Sequence, residues 1–328
     1  MKKGRHFLAA SVIALAVLCH AAVGVAASIN VVWTSEVGQF APLWITKEAK
    51  LFEKYGNQVQ LIFIQGAASA AAALSSGDAQ VGMFSPQIVI TTPALELIMF
   101  GRLGNTMDNR IYARKGIKSL KEVKRIAISR FGSNADFAAR YLLQREGLRP
   151  DTDVALLQVG NQANRIAAVE TANADAAMLT PPMTLQARKL GMSLIADAYK
   201  LGIPYSSLFF VSLRPYLTKN RADLVNFTKA MVEGVHYYKA NKEFSMKVIG
   251  KYMKVQDREV IEENFREYDF PLKPYPAKEY FALPIQEVGK KDPKVLKEDP
   301  DRFADQSLVK ELDASGFIDK LTQEYKVK

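Results

Sequence analysis

One arrangement of strand-like and helix-like segments occurs twice in this chain, 95 residues apart, and that recurrence narrows the fold more than any other feature. Residues 29–33 form a short β-branched run followed by a polar loop, 34–40. A helix opens at Pro42, where a missing N–H costs nothing, places Ile45, Ala49 and Phe52 on one face and stops at Gly56. Residues 59–64 are nearly all apolar, the pattern of a strand covered on both faces. Gln65-Gly66 leads into an alanine-rich helix, 68–75, and Gly77-Asp78 into a strand, 80–84. The reading is βαβαβ, which calls for a parallel sheet.

The second unit has the strand 125–129, a helix 133–146 closed by Gly147, the strand 154–159, a helix 162–171 and the strand 175–179. At the 95-residue shift, Ala73, Ala79, Met83 and Pro86 fall on Ala168, Ala174, Met178 and Pro181. These are four identities in fourteen positions, where ordinary composition gives about one. Ser85 falls on Thr180. The expected fold class is therefore α/β with two similar lobes, each a mostly parallel sheet flanked by helices, and a ligand cleft between them. Residues 111–114 and 207–211 are extended and flank the second unit, which puts two chain crossings near Lys115 and Pro204. Lobe 1 is then residues 28–114 plus 207–328 and lobe 2 is 115–206. Helices over 222–240 and 244–253 return to lobe 1, and six prolines from Pro271 to Pro300 predict an irregular course before a last helix near 307–312. A two-segment hinge lets the lobes bend without breaking either core.

The N-terminus sets the compartment. Lys2, Lys3 and Arg5 precede an apolar run, 7–18, and then small residues ending in Val25, Ala26 and Ala27 before Ser28, the order of a secretory signal peptide over residues 1–27. The alternative, an uncleaved anchor, would ask 12 residues to span about 30 Å of hydrocarbon, too few for a helix. Cys19 follows the bulky Leu18, which argues against a lipid anchor. Cleavage before Ser28 removes the one cysteine and two of three histidines and lowers the formal charge from +10 to +7, since three basic and no acidic residues leave. His236 alone remains, on a helix, so thiol nucleophiles, Cys/His metal sites and most His-based catalysis are excluded, and no cofactor, metal or catalytic residue is expected. The basic residues are dispersed in clusters such as Lys118, Lys121 and Lys124 or Lys290, Lys291 and Lys294, which read as solvated faces and not as a nucleic-acid surface. A monomer is expected.

Ligands of open parallel sheets bind beyond the carboxyl ends of the strands. That places the site on six loops: 34–40, 65–69 and 85–87 in the first lobe, and 129–133, 160–162 and 180–182 in the second. Their candidate residues are Glu36, Gln39, Phe40, Gln65, Gly66 and Ser85 on one side, and Ser129, Arg130, Phe131, Gly132, Ser133, Asn161, Thr180 and Pro181 on the other. Ser133 and Asp136 have capping-box spacing, so a helix N-terminus and the Arg130 guanidinium together form an anion seat, or else Arg130 points to solvent beside a plain capped helix. Glu36 would repel an anion but accept an ammonium group, which leaves open a zwitterion held between Glu36 and Arg130. Trp33, Phe40, Phe131 and Tyr205 are the aromatic side chains available to wall an apolar ligand.

The stretch from Gly38 to Ile45, with Lys47-Glu48-Ala49, Leu51 to Gly56, Phe63 to Gly66, Ala73-Leu74, Ser76-Gly77 and Val81-Gly82, resembles the N-terminal signature of ABC-importer solute-binding proteins of the nitrate/sulfonate/taurine type. Residues 129–140 and 313–318 are similar to that family as well. The resemblance implies a two-lobed periplasmic protein that closes on a small anionic or zwitterionic solute, sulfonate-, nitrate- or carboxylate-like, and hands it to a membrane permease driven by a cytoplasmic ATPase. It places the family's ligand loops on Gln39, Phe40, Gln65, Gly66, Ser85, Gly132, Ser133 and Thr180. Relatives with this fold include a pyrimidine synthase that needs cysteines and histidine, which the mature chain lacks. The alternatives are a periplasmic synthase or lyase using carboxylates such as Glu36, and a ligand-sensing partner of a membrane receptor.

Overall fold

Ten short strands separate into two five-stranded sheets in the computed structural model, which describes residues 27–327. The expected signal peptide lies almost wholly outside the described residues; Ala27, at its end, heads the first strand. The strands are β1 Ala27–Trp33, β2 Asn57–Phe63, β3 Val81–Phe84, β4 Leu97–Arg102, β5 Arg110–Ala113, β6 Arg125–Ile128, β7 Ala155–Gln158, β8 Ala176–Leu179, β9 Ser193–Asp197 and β10 Phe209–Leu213. The sheet orders are β2-β1-β3-β10-β4 and β7-β6-β8-β5-β9. In each, three parallel strands are extended by an antiparallel one, β10 or β5.

The 95-residue shift holds at the level of individual ladder partners. Val31 pairs with Leu61 and Val81, and Ile126, 95 residues on, pairs with Leu156 and Ala176. Local chemistry explains the helices between them. The alanine-rich helix Ala67–Ser76 has high intrinsic propensity and ends on Gly77 at φ +85°, a left-handed position where glycine is unstrained. Ser133 caps the helix Asn134–Arg145 by accepting from the Asp136 N–H at 3.3 Å, as its spacing predicts. Asn161 caps Gln162–Glu170 in the same way, through the Asn164 N–H at 2.8 Å.

Three expectations are corrected. β2 is an edge strand, because β1 is the centre of the parallel trio; Gln58 and Gln60 are exposed, and Phe63 is 45% exposed. β5, assigned to lobe 1 as part of 28–114, pairs with β8 and β9 in the second sheet, so the outgoing crossing lies between β4 and β5 and not near Lys115. The two crossing segments touch at a bridge between Thr106 and Pro204. The last helix is Phe317–Tyr325, beyond the expected one at Ser307–Ala314.

A third connection joins the lobes. The helix Arg258–Glu267 lies against the lobe 2 helix Met183–Lys189. Glu267 binds the buried Arg110 at 2.7 Å, Glu263 pairs with Arg188, and Asp257 pairs with Lys189 at 2.8 Å. The Tyr268 hydroxyl that follows sits 2.7 Å from Asp108 Oδ2 and 3.0 Å from the Pro181 carbonyl oxygen.

Candidate functional site

All six strand-end loops meet across one cavity of about 230 Å³ between the sheets. Lobe 1 supplies Glu36, Gln39 and Phe40 after β1, Phe63 at the end of β2 with Gln65 and Gly66 after it, and Phe84 at the end of β3 with Ser85 after it. Lobe 2 supplies Ser129, Arg130 and Ser133 after β6, Gly160, Asn161 and Arg165 after β7, and Thr180 after β8. The crossing segments add Asn109 and Ser207.

Three sequence candidates stand outside the lining. Phe131 is 53% exposed, and its N–H donates to Gln158 Oε1 at 2.8 Å. The Gly132 N–H donates to Asp136 Oδ2 at 2.9 Å, and Asp136 also accepts from Arg140 Nε at 2.7 Å, so both are occupied in finishing the helix start. Pro181 is buried, with its carbonyl against Tyr268. Of the aromatic candidates, Phe40 lines the cavity, Trp33 is a buried member of a ring cluster, and Tyr205 is fully buried, its hydroxyl donating to Asn134 Oδ1.

Within the lining, many polar groups are already committed. Gln39 Oε1 accepts from Ser207 Oγ, Ser129 Oγ donates to Ser133 Oγ at 2.8 Å, and Thr180 exchanges hydrogen bonds with the Gln162 amide. Glu36 is held by Lys254 Nζ at 2.9 Å, within its own lobe. Arg130 donates from Nη2 to Gln65 Oε1 at 2.9 Å, so it spans the two rims. Arg130 is exposed, and this partner comes from the opposite lobe.

Sequence reasoning missed Arg165. It is 4% exposed, lines the cavity, and donates to the carbonyl oxygens of Asn161 (from Nε, 3.4 Å) and Met178 (from Nη1). Among the described residues no carboxylate pairs with it, and burial alone pushes its pKa down to about 9. A desolvated cation without a counter-charge is costly, and an anion entering the cavity would offset that cost. Ser85, buried at the equivalent of Thr180, keeps a hydroxyl without a hydrogen-bond partner among the described residues.

Among the described residues no group of three or more His, Cys, Asp or Glu side chains stands where it could hold a metal ion. His236 is buried away from the cleft, with Nδ1 donating to the Val232 carbonyl at 2.8 Å, and desolvation holds its pKa below the usual value. No described helix is long and apolar enough to cross a membrane.

Residues 28–250 match the family model described as the NMT1-like family. The chain belongs to the NMT1-like family. No curated protein matches its sequence. This NMT1-like protein is similar in structure to the periplasmic aliphatic sulphonate binding protein SsuA from Escherichia coli, with TM-score 0.70 and 20% identity over 85% of this chain and 92% of that one. It is similar to the periplasmic nitrate-binding protein NrtA from Synechocystis PCC 6803, with TM-score 0.72 and 16% identity over 88% of each chain. A protein from Bordetella bronchiseptica RB50 matches with TM-score 0.77 and 16% identity, over 92% of this chain and 98% of that one. These likenesses show the shared two-lobed α/β fold.

Proposed function

We propose that this NMT1-like protein is the extracytoplasmic solute-binding component of an ABC importer. It captures a small anion by closing its lobes and delivers it unaltered to a membrane permease. The observation that carries this reading is the buried Arg165, which has no carboxylate partner among the described residues and stands at the cavity where six strand-end loops converge. The sulphonate- and nitrate-binding proteins that share the fold support the same class of solute. Glu36, the one carboxylate among the lining residues, is neutralised by Lys254, which gives little support to acid/base catalysis in the cleft.

The lobes close because a ligand touching both faces favours the closed form by its differential affinity for it. Calorimetric titration of the purified protein with sulfonates, carboxylates and nitrate tests the reading, with small-angle scattering run alongside. Binding tighter than millimolar with a decrease in radius of gyration is expected. The reading fails if no anion binds, or if a bound compound is turned over.

A further inference from the structure

The two walls of the cleft differ in chemistry. Lobe 2 offers Arg165, Asn161 and hydroxyls. Lobe 1 also offers polar groups such as Gln39, Gln65 and Ser85, but it alone adds aromatic rings, the part-exposed Phe63 and the buried Phe40 and Phe84. Phe63 is 45% exposed yet is not a loose surface ring: its centroid lies 4.7 Å from Trp33, which packs at 5.4 Å on Trp44, itself stacked at 5.1 Å on Tyr252. The result is a fixed apolar platform with one bare face. The equivalent residue in lobe 2, 95 positions on, is Gln158, tied to the Phe131 N–H.

Size points the same way. A cavity of about 150 Å³ holds a benzene-sized body, and this one measures about 230 Å³, which leaves space for a charged head group. An inorganic anion on Arg165 would leave most of that volume to water and Phe63 uncovered.

We propose that the solute is an organic anion with an aromatic or alicyclic body, its carboxylate or sulfonate seated on lobe 2 at Arg165 and its body lying on lobe 1 against Phe63. This rests on the anion-binding reading above and makes Phe63 a specificity-determining residue. The solute is thereby oriented, because the buried cation stands on lobe 2 and the exposed ring on lobe 1.

The test is calorimetry on the purified protein with benzoate, benzenesulfonate, acetate, methanesulfonate, nitrate and the uncharged benzamide. Benzoate or benzenesulfonate should bind at least tenfold tighter than its one-carbon counterpart, since covering a ring is worth that much, and benzamide and nitrate should bind weakly. Phe63→Ala should cost the aryl anion about tenfold and leave acetate and methanesulfonate unchanged; Phe63→Leu, with an unaltered melting temperature, guards against a folding defect. Acetate, methanesulfonate or nitrate binding as tightly as the aryl anions overturns this inference and leaves the anion reading standing. Equal binding of benzamide and benzoate overturns the charge assignment, and an absence of binding by all six overturns both.

Discussion

Lobe 1 and lobe 2 carry the same ladder register at a 95-residue offset, yet they present unlike side chains to the space between them. The helix after β2 has Ala70 where the helix after β7 has Arg165, and both positions are buried. Phe63 corresponds to Gln158, whereas Ser85 and Thr180 remain a matched pair of hydroxyl residues on the lining. A repeated scaffold thus fixes where the loops arrive, and a few substitutions on it decide what they recognise. Ligand chemistry therefore has to be argued from these positions and cannot be inherited from the fold.

The sharpest way to break this contrast is to remove the charge from lobe 2. Arg165→Met should lower the affinity for an anionic solute by about 30-fold or more, the scale of a buried hydrogen-bonded charge pair. The melting temperature without ligand should fall little, because an uncompensated buried cation goes with the lost carbonyl contacts. Unchanged affinity in a titration would move the anion seat elsewhere.

The next test concerns the crossing between the lobes. Burial pushes the Asp108 carboxyl up to about 6, against the favourable Tyr268 hydroxyl and the neighbouring Arg110 and Gln39. Tyr268 has one proton for two acceptors, and a protonated Asp108 would donate to Tyr268 and free it to bond Pro181. Since the folded-state pKa is raised, Asp108 contributes its stability fully below about pH 4, and that contribution is lost as pH rises through about 6. Denaturant titrations should show a fall on the order of 3 kcal/mol across that window, and Asp108→Asn should flatten it.

Smaller effects separate the two rims. Arg130→Ala removes the one described hydrogen bond from Arg130 to Gln65 and should speed ligand release by about threefold to tenfold in stopped flow. A loss as large as that of Arg165→Met would restore Arg130 as the anion seat. Glu36→Gln should change affinity by less than about twofold, as expected for an exposed pair with Lys254. A collapse of binding in that variant would mean that the solute carries an ammonium group for lobe 1.

How far the sequence could be read depended on how local each signal was. The strand–helix alternation, the Ser133 cap and the convergence of six loops were legible because each depends on neighbours within a few residues or on the general geometry of parallel sheets. Arg165 was not, because an arginine on an amphipathic helix reads like any solvated one, and only the packing of β8 shows it buried. Arg130 stood out beside the capping box, but its partner Gln65 comes from the other lobe. β5 is apolar enough to suit either sheet, and Glu263 and Glu267 look like ordinary surface charges until Arg188 and Arg110 are placed opposite them.

The helix Arg258–Glu267 alters the mechanics of such a molecule. Two bodies joined only by a pair of crossing segments can both gape and twist, whereas a helix tied by ion pairs to the second body adds a brace beside the crossing. The buried Arg110 end of that brace is little screened by salt, whereas the exposed Lys189–Asp257 end is open to it, so added salt should slacken the outer end of the brace first.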